Sequence, residues 1–214
     1  MYQSYNNTFF HNNFFGDSNV LIGYGDNSTN FWDNWVEGNY WNNYTGVDAN
    51  LDGLGDTPHV INSTNRDNHP LMGPLYRYNI LPNSDVTIVS NSSITDVEYL
   101  QSNSTILLQV SNMTADQTVG FCRISIPHTL INPYNGSISV VIDDGQTPVL
   151  FLNNTLYDDG TNRWMYFTYP QSTHSVRIIS AVPEFSAFLL LALFMVGTFV
   201  LMAVYKKRHG SMTA

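Results

Sequence analysis

The chain has 214 residues, a formal net charge of −9 and one cysteine, Cys122, so no disulfide can form within it. Before residue 183 it carries sixteen Asp and Glu against five Arg, an excess that argues against nucleic acid as a partner, because phosphate binding needs clustered Lys and Arg. Charged residues make up only 12% of the chain; its polarity comes from 25 Asn together with Ser, Thr and Tyr, which suits a solvated surface and an affinity for cations.

The N-terminus, Met1-Tyr2-Gln3-Ser4-Tyr5-Asn6, has neither a basic n-region nor an apolar h-region and does not read as a signal peptide. Because the C-terminal end reads as a membrane anchor, as described below, we expect this chain to be the C-terminal part of a longer protein or the product of a mis-started gene. Asn6-Asn7-Thr8-Phe9-Phe10-His11-Asn12-Asn13-Phe14-Phe15 follows, with two Asn pairs six residues apart, each followed by a Phe pair. Such a pattern fits rungs of a parallel β-helix, in which apolar side chains stack inside and Asn side chains form ladders at the corners. A polar arm with fortuitous aromatics is the alternative.

Residues 31–46 hold Trp32, Trp35, Trp41, Tyr40 and Tyr44. These aromatics cap the open end of a solenoid core or form a sugar-stacking platform; capping is the simpler reading. The sharpest chemistry comes next, in Asp48-Ala49-Asn50-Leu51-Asp52-Gly53-Leu54-Gly55-Asp56. Side-chain oxygens from Asp48, Asn50, Asp52 and Asp56 fall at positions 1, 3, 5 and 9 of an EF-hand-type loop. Gly53 takes the tight-turn position 6 and the Leu54 carbonyl supplies position 7. Position 12 is His59 rather than a bidentate Glu, so another carboxylate or water must complete the shell, with Asp67 the nearest candidate. We expect a structural calcium site; a solvated Asp/Gly turn is the alternative.

Gly38-Asn39-Tyr40-Trp41, the acidic loop through Thr57-Pro58, and the closing His69-Pro70-Leu71-Met72 together resemble the C-terminal boundary of NosD-like β-helix repeat proteins of archaeal surfaces. The resemblance covers roughly residues 1–75 and implies the last coils of a right-handed parallel β-helix. NosD-like proteins often carry a copper-binding label, but His69 and Met72 alone do not define a copper site, and a copper-handling accessory role rests on that label only.

From Asp85 onward, β-branched runs alternate with turn residues. The alternation is clear in Ile106-Leu108-Val110, Cys122-Ile124-Ile126, Ile138-Val140-Ile142 and Met165-Phe167-Tyr169, with turns at Asn135-Gly136, Asp143-Asp144-Gly145 and Asp158-Asp159-Gly160. About seven strands are expected over residues 84–182, an immunoglobulin-like sandwich with Cys122 as a buried small hydrophobe and His174 in an exposed turn. The runs around Cys122 and Tyr166–Val176 resemble a domain that recurs just before the membrane anchor of archaeal surface proteins, and the segment reads as a stalk.

Phe185–Val204 is twenty residues without a charge, followed by Lys206-Lys207-Arg208. At a rise of about 1.5 Å per residue the run spans a bilayer core, and the basic triplet places the C-terminus in the cytoplasm. The expected organisation is therefore 1–83 β-helix end, 84–182 sandwich, 183–208 one transmembrane helix and 209–214 cytoplasmic tail, in a single-pass cell-membrane protein. Pro183-Glu184-Phe185 before the apolar run resembles a PEF-type sorting signal, which implies an archaeosortase as a partner and a lipid-anchored mature form. Pro183 is equally suited to an ordinary helix start.

Nine Asn-x-Ser/Thr sequons, at Asn6, Asn27, Asn43, Asn62, Asn91, Asn103, Asn112, Asn135 and Asn153, all precede residue 183 and are glycosylation candidates, or by-products of an Asn- and Ser/Thr-rich composition. The sequence-level expectation is a mostly β surface protein, not an enzyme, with a structural or glycan-binding role. The competing reading is a polysaccharide-processing β-helix enzyme, which needs converging carboxylates on successive coils; the acidic residues here gather in the calcium-type loop instead, so in that reading the active site is expected in N-terminal coils missing from this sequence.

Overall fold

A computed structural model describes residues 5–16, 28–133, 138–143, 149–152, 155–170 and 172–180, with Met195, Val196, Thr198, Leu201 and Met202. The fold is mostly β, and the chain divides into two compact units, Met1–Ala181 and Val182–Ala214. In the second unit the five described residues are helical. The rest of the expected span 183–208, with the Pro183-Glu184-Phe185 motif, and the tail 209–214 lie outside the described residues. Among the described residues no helix is long and apolar enough to cross a membrane.

The first part of unit one is a stack of three extended segments in parallel register. Strand β1 (Asn13–Phe14) pairs in parallel with β2 (Tyr40–Trp41), and parallel bridges join Thr8 to Phe31 and Tyr40 to Leu71. Two columns of side-chain amides run through the stack. Asn30 Oδ1 accepts Asn7 N and Nδ2 at 3.1 and 2.9 Å, and Asn65 Oδ1 accepts Asn30 N at 2.9 Å. In the second column Asn39 Oδ1 accepts Asn12 N and Nδ2 at 3.1 and 2.9 Å, and Asp67 Oδ2 accepts Asn39 N at 2.7 Å.

The Asn pairs six residues apart thus lie on one segment, in two different columns, rather than on two successive stacked segments. The true stacking partners lie 23 and 27 residues on. Aromatic rings fill the space between the columns: Phe9 stacks on Trp32 at 4.8 Å, Phe14 on Trp41 at 4.2 Å and Trp41 on His59 at 4.5 Å. A short antiparallel pair, β3 (His59–Val60) with β4 (Arg66–Asp67), brings the chain back to the third segment.

Ten further strands form two antiparallel five-stranded sheets. These are β5 (Leu75–Leu81), β6 (Ser84–Ser90), β7 (Ser92–Leu100), β8 (Thr105–Asn112), β9 (Val119–Pro127), β10 (Ile138–Asp143), β11 (Val149–Leu152), β12 (Thr155–Asp158), β13 (Asn162–Pro170) and β14 (His174–Ser180). One sheet has the order β7-β8-β14-β10-β11 and the other β5-β6-β9-β13-β12, and among the described residues neither closes into a barrel. The strand count exceeds the seven or so expected. The first sheet edge, Leu75–Leu81, also lies ahead of the composition shift at Asp85 that set the expected boundary, because Asn and Tyr dilute its β-branched signal.

Alternation decides which residues enter the core. Ile106, Leu108 and Val110, Cys122, Ile124 and Ile126, Ile138, Val140 and Ile142, and Met165, Phe167 and Tyr169 are all buried in one cluster shared by the two sheets. Asp158-Asp159-Gly160 makes the β12–β13 turn, with Gly160 at φ +83° and its N–H donating to Asp158 Oδ1 at 2.8 Å. The expected turns at Asn135-Gly136 and Asp144-Gly145 lie outside the described residues.

A second apolar cluster fuses the stack to the sandwich. Leu71 of the third segment is buried with Val89 of β6 and Phe121 of β9, and Tyr40, Leu54, Leu75 and Tyr166 pack around them. Each fully buried aliphatic or Phe side chain there contributes about 1.5–3 kcal/mol. Gly73 is required at this joint, because a Cβ would strike the Ser90 backbone carbonyl.

Candidate functional site

Three features lie where the stacked segments meet β9: a buried charged node, the acidic loop, and a turn that carries an exposed indole.

The node is centred on Glu37, which is buried. Its Oε2 faces His11 Nε2 at 2.8 Å and its Oε1 accepts Arg123 Nε at 2.7 Å. Arg123 is itself buried on β9, on the face opposite Cys122 and Ile124, and its Nη1 donates to Asp52 O at 2.7 Å. One guanidinium therefore ties together the second segment, the acidic loop and the sandwich. Burial pushes the Glu37 carboxyl up, but the His11 hydrogen bond and the Arg123 charge outweigh it and hold it below the usual carboxylate range.

On the next step of the same flank, His69 Nδ1 lies 3.5 Å from Asp33 Oδ1. Asp33 is buried and accepts Asn68 N and Nδ2 through Oδ2 at 3.0 and 2.8 Å. Burial raises the Asp33 carboxyl, and the Asn68 and Trp35 donors more than offset it, so it too ends below its ordinary value.

Asp67 behaves differently. It is fully buried and accepts Asn39 N, Asn39 Nδ2, Trp41 Nε1 and His69 N, and burial, outweighing these donors, leaves its pKa raised. Gly38 must be glycine here, since a Cβ would collide with the Asp67 carboxyl. Through these four donors Asp67 belongs to the amide column. The ring of His59, at the twelfth loop position, stacks on Trp41.

Within the loop, each carboxylate caps backbone N–H groups. Asp48 accepts Asp52 N at 3.0 Å and Gly53 N at 2.8 Å, Asp52 Oδ1 accepts Leu54 N at 2.8 Å, and Asp56 Oδ2 accepts Ala49 N at 2.6 Å. Asn50 Nδ2 donates to Asp52 Oδ2 at 3.2 Å. Gly53 sits at φ +85°, and an added Cβ would lie 2.8 Å from Arg123 Cβ, so both conformation and close approach demand glycine. The Leu54 residue bridges Leu71. Among the described residues no three His, Cys, Asp or Glu side chains gather as a metal cluster.

The aromatic run splits in two. Trp32 and Trp41 are buried in the stack, whereas Trp35 is 73% exposed at φ +72°. A left-handed backbone at a non-glycine residue costs about 1–3 kcal/mol. The turn is pinned by Asp33 Oδ1 accepting Trp35 N at 3.0 Å and Asn34 Oδ1 accepting Val36 N and Glu37 N at 3.0 and 2.8 Å.

The sequons divide by environment. Asn6, Asn43, Asn103 and Asn112 are exposed. Asn62 Oδ1 accepts Thr64 N and Asn65 N. The Asn91 amide is committed at both ends, Nδ2 donating to Val119 O at 3.0 Å and Oδ1 accepting Phe121 N at 2.9 Å. Asn27, Asn135 and Asn153 lie outside the described residues.

In the sandwich, Cys122 is buried and burial pushes its thiol up to about 11, which makes it an inert small core residue. His174 is not in an exposed turn: it is 6% exposed at the start of β14, with Nε2 within 2.7 Å of Pro170 O and its ring edge-on to Tyr169.

The sequence pattern did not single out His11, Glu37 or Arg123 as a group. The available signal was an Arg at an outward β9 position in a chain with five Arg before residue 183. Period-2 alternation reads such a position as solvated unless another element covers it. No protein family, curated protein or solved structure matches the chain.

Proposed function

We propose that the chain is the membrane-proximal part of a cell-surface protein, with a structural or glycan- and envelope-binding role. In this reading, residues 6–72 are the last coils of a right-handed parallel β-helix of the NosD-like kind. The two five-stranded sheets are an immunoglobulin-like stalk, and residues 183–208 are a single-pass anchor or a sorting signal processed by an archaeosortase. The observation that carries the reading is the pair of amide columns, Asn7-Asn30-Asn65 and Asn12-Asn39-Asp67, with aromatic rings stacked between them. Corner ladders and an apolar interior are what successive solenoid coils need to satisfy their backbone and bury a core. The Leu71 cluster joins the third segment to the sandwich, and Arg123 ties in the second segment and the acidic loop, as a rigid stalk requires.

Calcium belongs to the same reading. The donors Asp48, Asn50, Asp52, Asp56 and the Leu54 carbonyl are hard oxygens of the kind calcium takes. An ionised carboxylate has about four lone-pair sites, so one or two backbone N–H donors leave room for a cation. Bound there, the ion would lock the loop against Arg123 and the base of the stack.

The test is cosedimentation of the purified full chain with isolated cell-envelope material, with and without calcium. Retention in the envelope pellet that soluble envelope polysaccharide competes away is expected. No retention above a control protein of similar charge would remove the binding role.

A further inference from the structure

The turn at residues 33–37 has no internal need for its tryptophan. Asp33 and Glu37 are buried anchors on either side, and Asn34 closes the backbone between them. Trp35 projects from this frame in a left-handed conformation that glycine would adopt without strain, and it leaves most of its ring in water. Phe31, 41% exposed, leans against it with ring centroids 5.9 Å apart and planes at 49°, and Val36 is exposed beside them. A strained, rigidly framed and solvent-facing aromatic pair is what a ligand clamp looks like before its ligand arrives.

We propose that Trp35 and Phe31 form a stacking site for the apolar faces of neutral sugar rings in a glycan chain. This assignment rests on the envelope-binding reading and locates it on one turn. Size, charge and chemistry select the occupant. Aromatic side chains bury about 150–250 Å² each, so two partly exposed rings and a valine fall short of the roughly 800 Å² per partner of a standard protein interface. The sixteen acidic residues against five Arg ahead of residue 183 repel phosphate-bearing surfaces, which excludes an anionic lipid face or a nucleic acid. Pyranose rings present C–H faces that pack on indole and phenyl, and hydroxyl rims that need polar neighbours such as Asn34. Planes tilted by 49° suit two successive rings that are not coplanar.

The experiment measures binding of neutral hexasaccharides of β-linked glucose, β-linked N-acetylglucosamine and α-linked mannose to the full chain. Titration calorimetry and tryptophan emission are the readouts, for the native protein, Trp35→Gly and Trp35→Phe. At least one hexasaccharide is expected to bind and to shift the emission, and Trp35→Gly is expected to weaken it by about tenfold or more, with Trp35→Phe retaining part of the affinity. Because glycine suits the positive φ, Trp35→Gly is expected to melt at the same temperature as the native protein or higher, which separates lost binding from lost folding. Equal binding by Trp35→Gly would overturn the site while leaving the envelope role in place. No binding of any hexasaccharide by a native protein that still cosediments with envelopes would overturn the sugar assignment. Loss of both would remove the function reading as well. Trp35-dependent binding to phosphatidylcholine vesicles in place of the sugars would also overturn it.

Discussion

Arg123→Met tests the joint between the stacked segments and the sandwich. The substitution keeps an apolar stem of similar reach beside Gly53 but removes the guanidinium that meets Glu37 Oε1 and Asp52 O, both at 2.7 Å. Glu37 is then a buried carboxylate with His11 as its remaining partner, and Asp52 O loses its donor. Breaking a buried, hydrogen-bonded ion pair on one side costs about 3–5 kcal/mol. For a folded unit of this size each kcal/mol lowers Tm by about 2–4 °C, so the expected drop is roughly 6–20 °C. Thermal unfolding of the full chain at neutral pH, followed by circular dichroism, measures it. Replacing both partners, as in Glu37→Gln with Arg123→Met, leaves no uncompensated charge and is expected to recover part of the loss. A Tm for Arg123→Met within about 2 °C of the native value, or single effects that simply add in the double variant to within about 0.5 kcal/mol, would refute the account of the joint.

Three further outcomes are expected. Gly53→Ala forces a Cβ against the Arg123 stem at a positive φ and is expected to cost about 1–3 kcal/mol, read as a lower urea midpoint with unchanged slope. Glu37 titrates below its ordinary value in the folded state, so its contribution is present above about pH 4.3 and is lost as pH falls through the folded value; melting between pH 7 and pH 3 should fall more steeply for the native chain than for Glu37→Gln, with Asp33 keeping some slope in the variant. If the acidic loop holds calcium, chelator lowers the native Tm and Asp52→Ala abolishes that response, whereas a melting curve unmoved by chelator removes the metal.

The sandwich was the most legible part of the sequence. Each quoted alternation, from Ile106-Leu108-Val110 to Met165-Phe167-Tyr169, marks residues that are buried together, because a period of two is a local property of an extended chain. Leu75–Leu81 escaped because Tyr76, Arg77, Tyr78 and Asn79 do not read as a strand until β6 pairs with them. The amide ladders were legible as a motif but not in their register. Spacing within the chain cannot tell an interval within one segment from an interval between stacked segments, and the true partners, Asn30 and Asn39, lie beyond a stretch without the pattern. The charged node was illegible for the same reason: Glu37 and Arg123 are 86 residues apart, and only the fold covers the outward face of β9. Trp32 and Trp41 went to the core and Trp35 to the surface, a distinction set by one left-handed turn rather than by residue type.

The central proposal, a protein displayed outside the cell on a C-terminal anchor, is tested most directly by proteolysis and labelling of intact cells. Added protease and a membrane-impermeant label should reach the exposed loops before residue 182 without lysis, while Lys206 and Lys207 stay protected or, if the sorting motif is processed, are missing from the mature protein by mass. A chain that is untouched until the cells are broken open would contradict it.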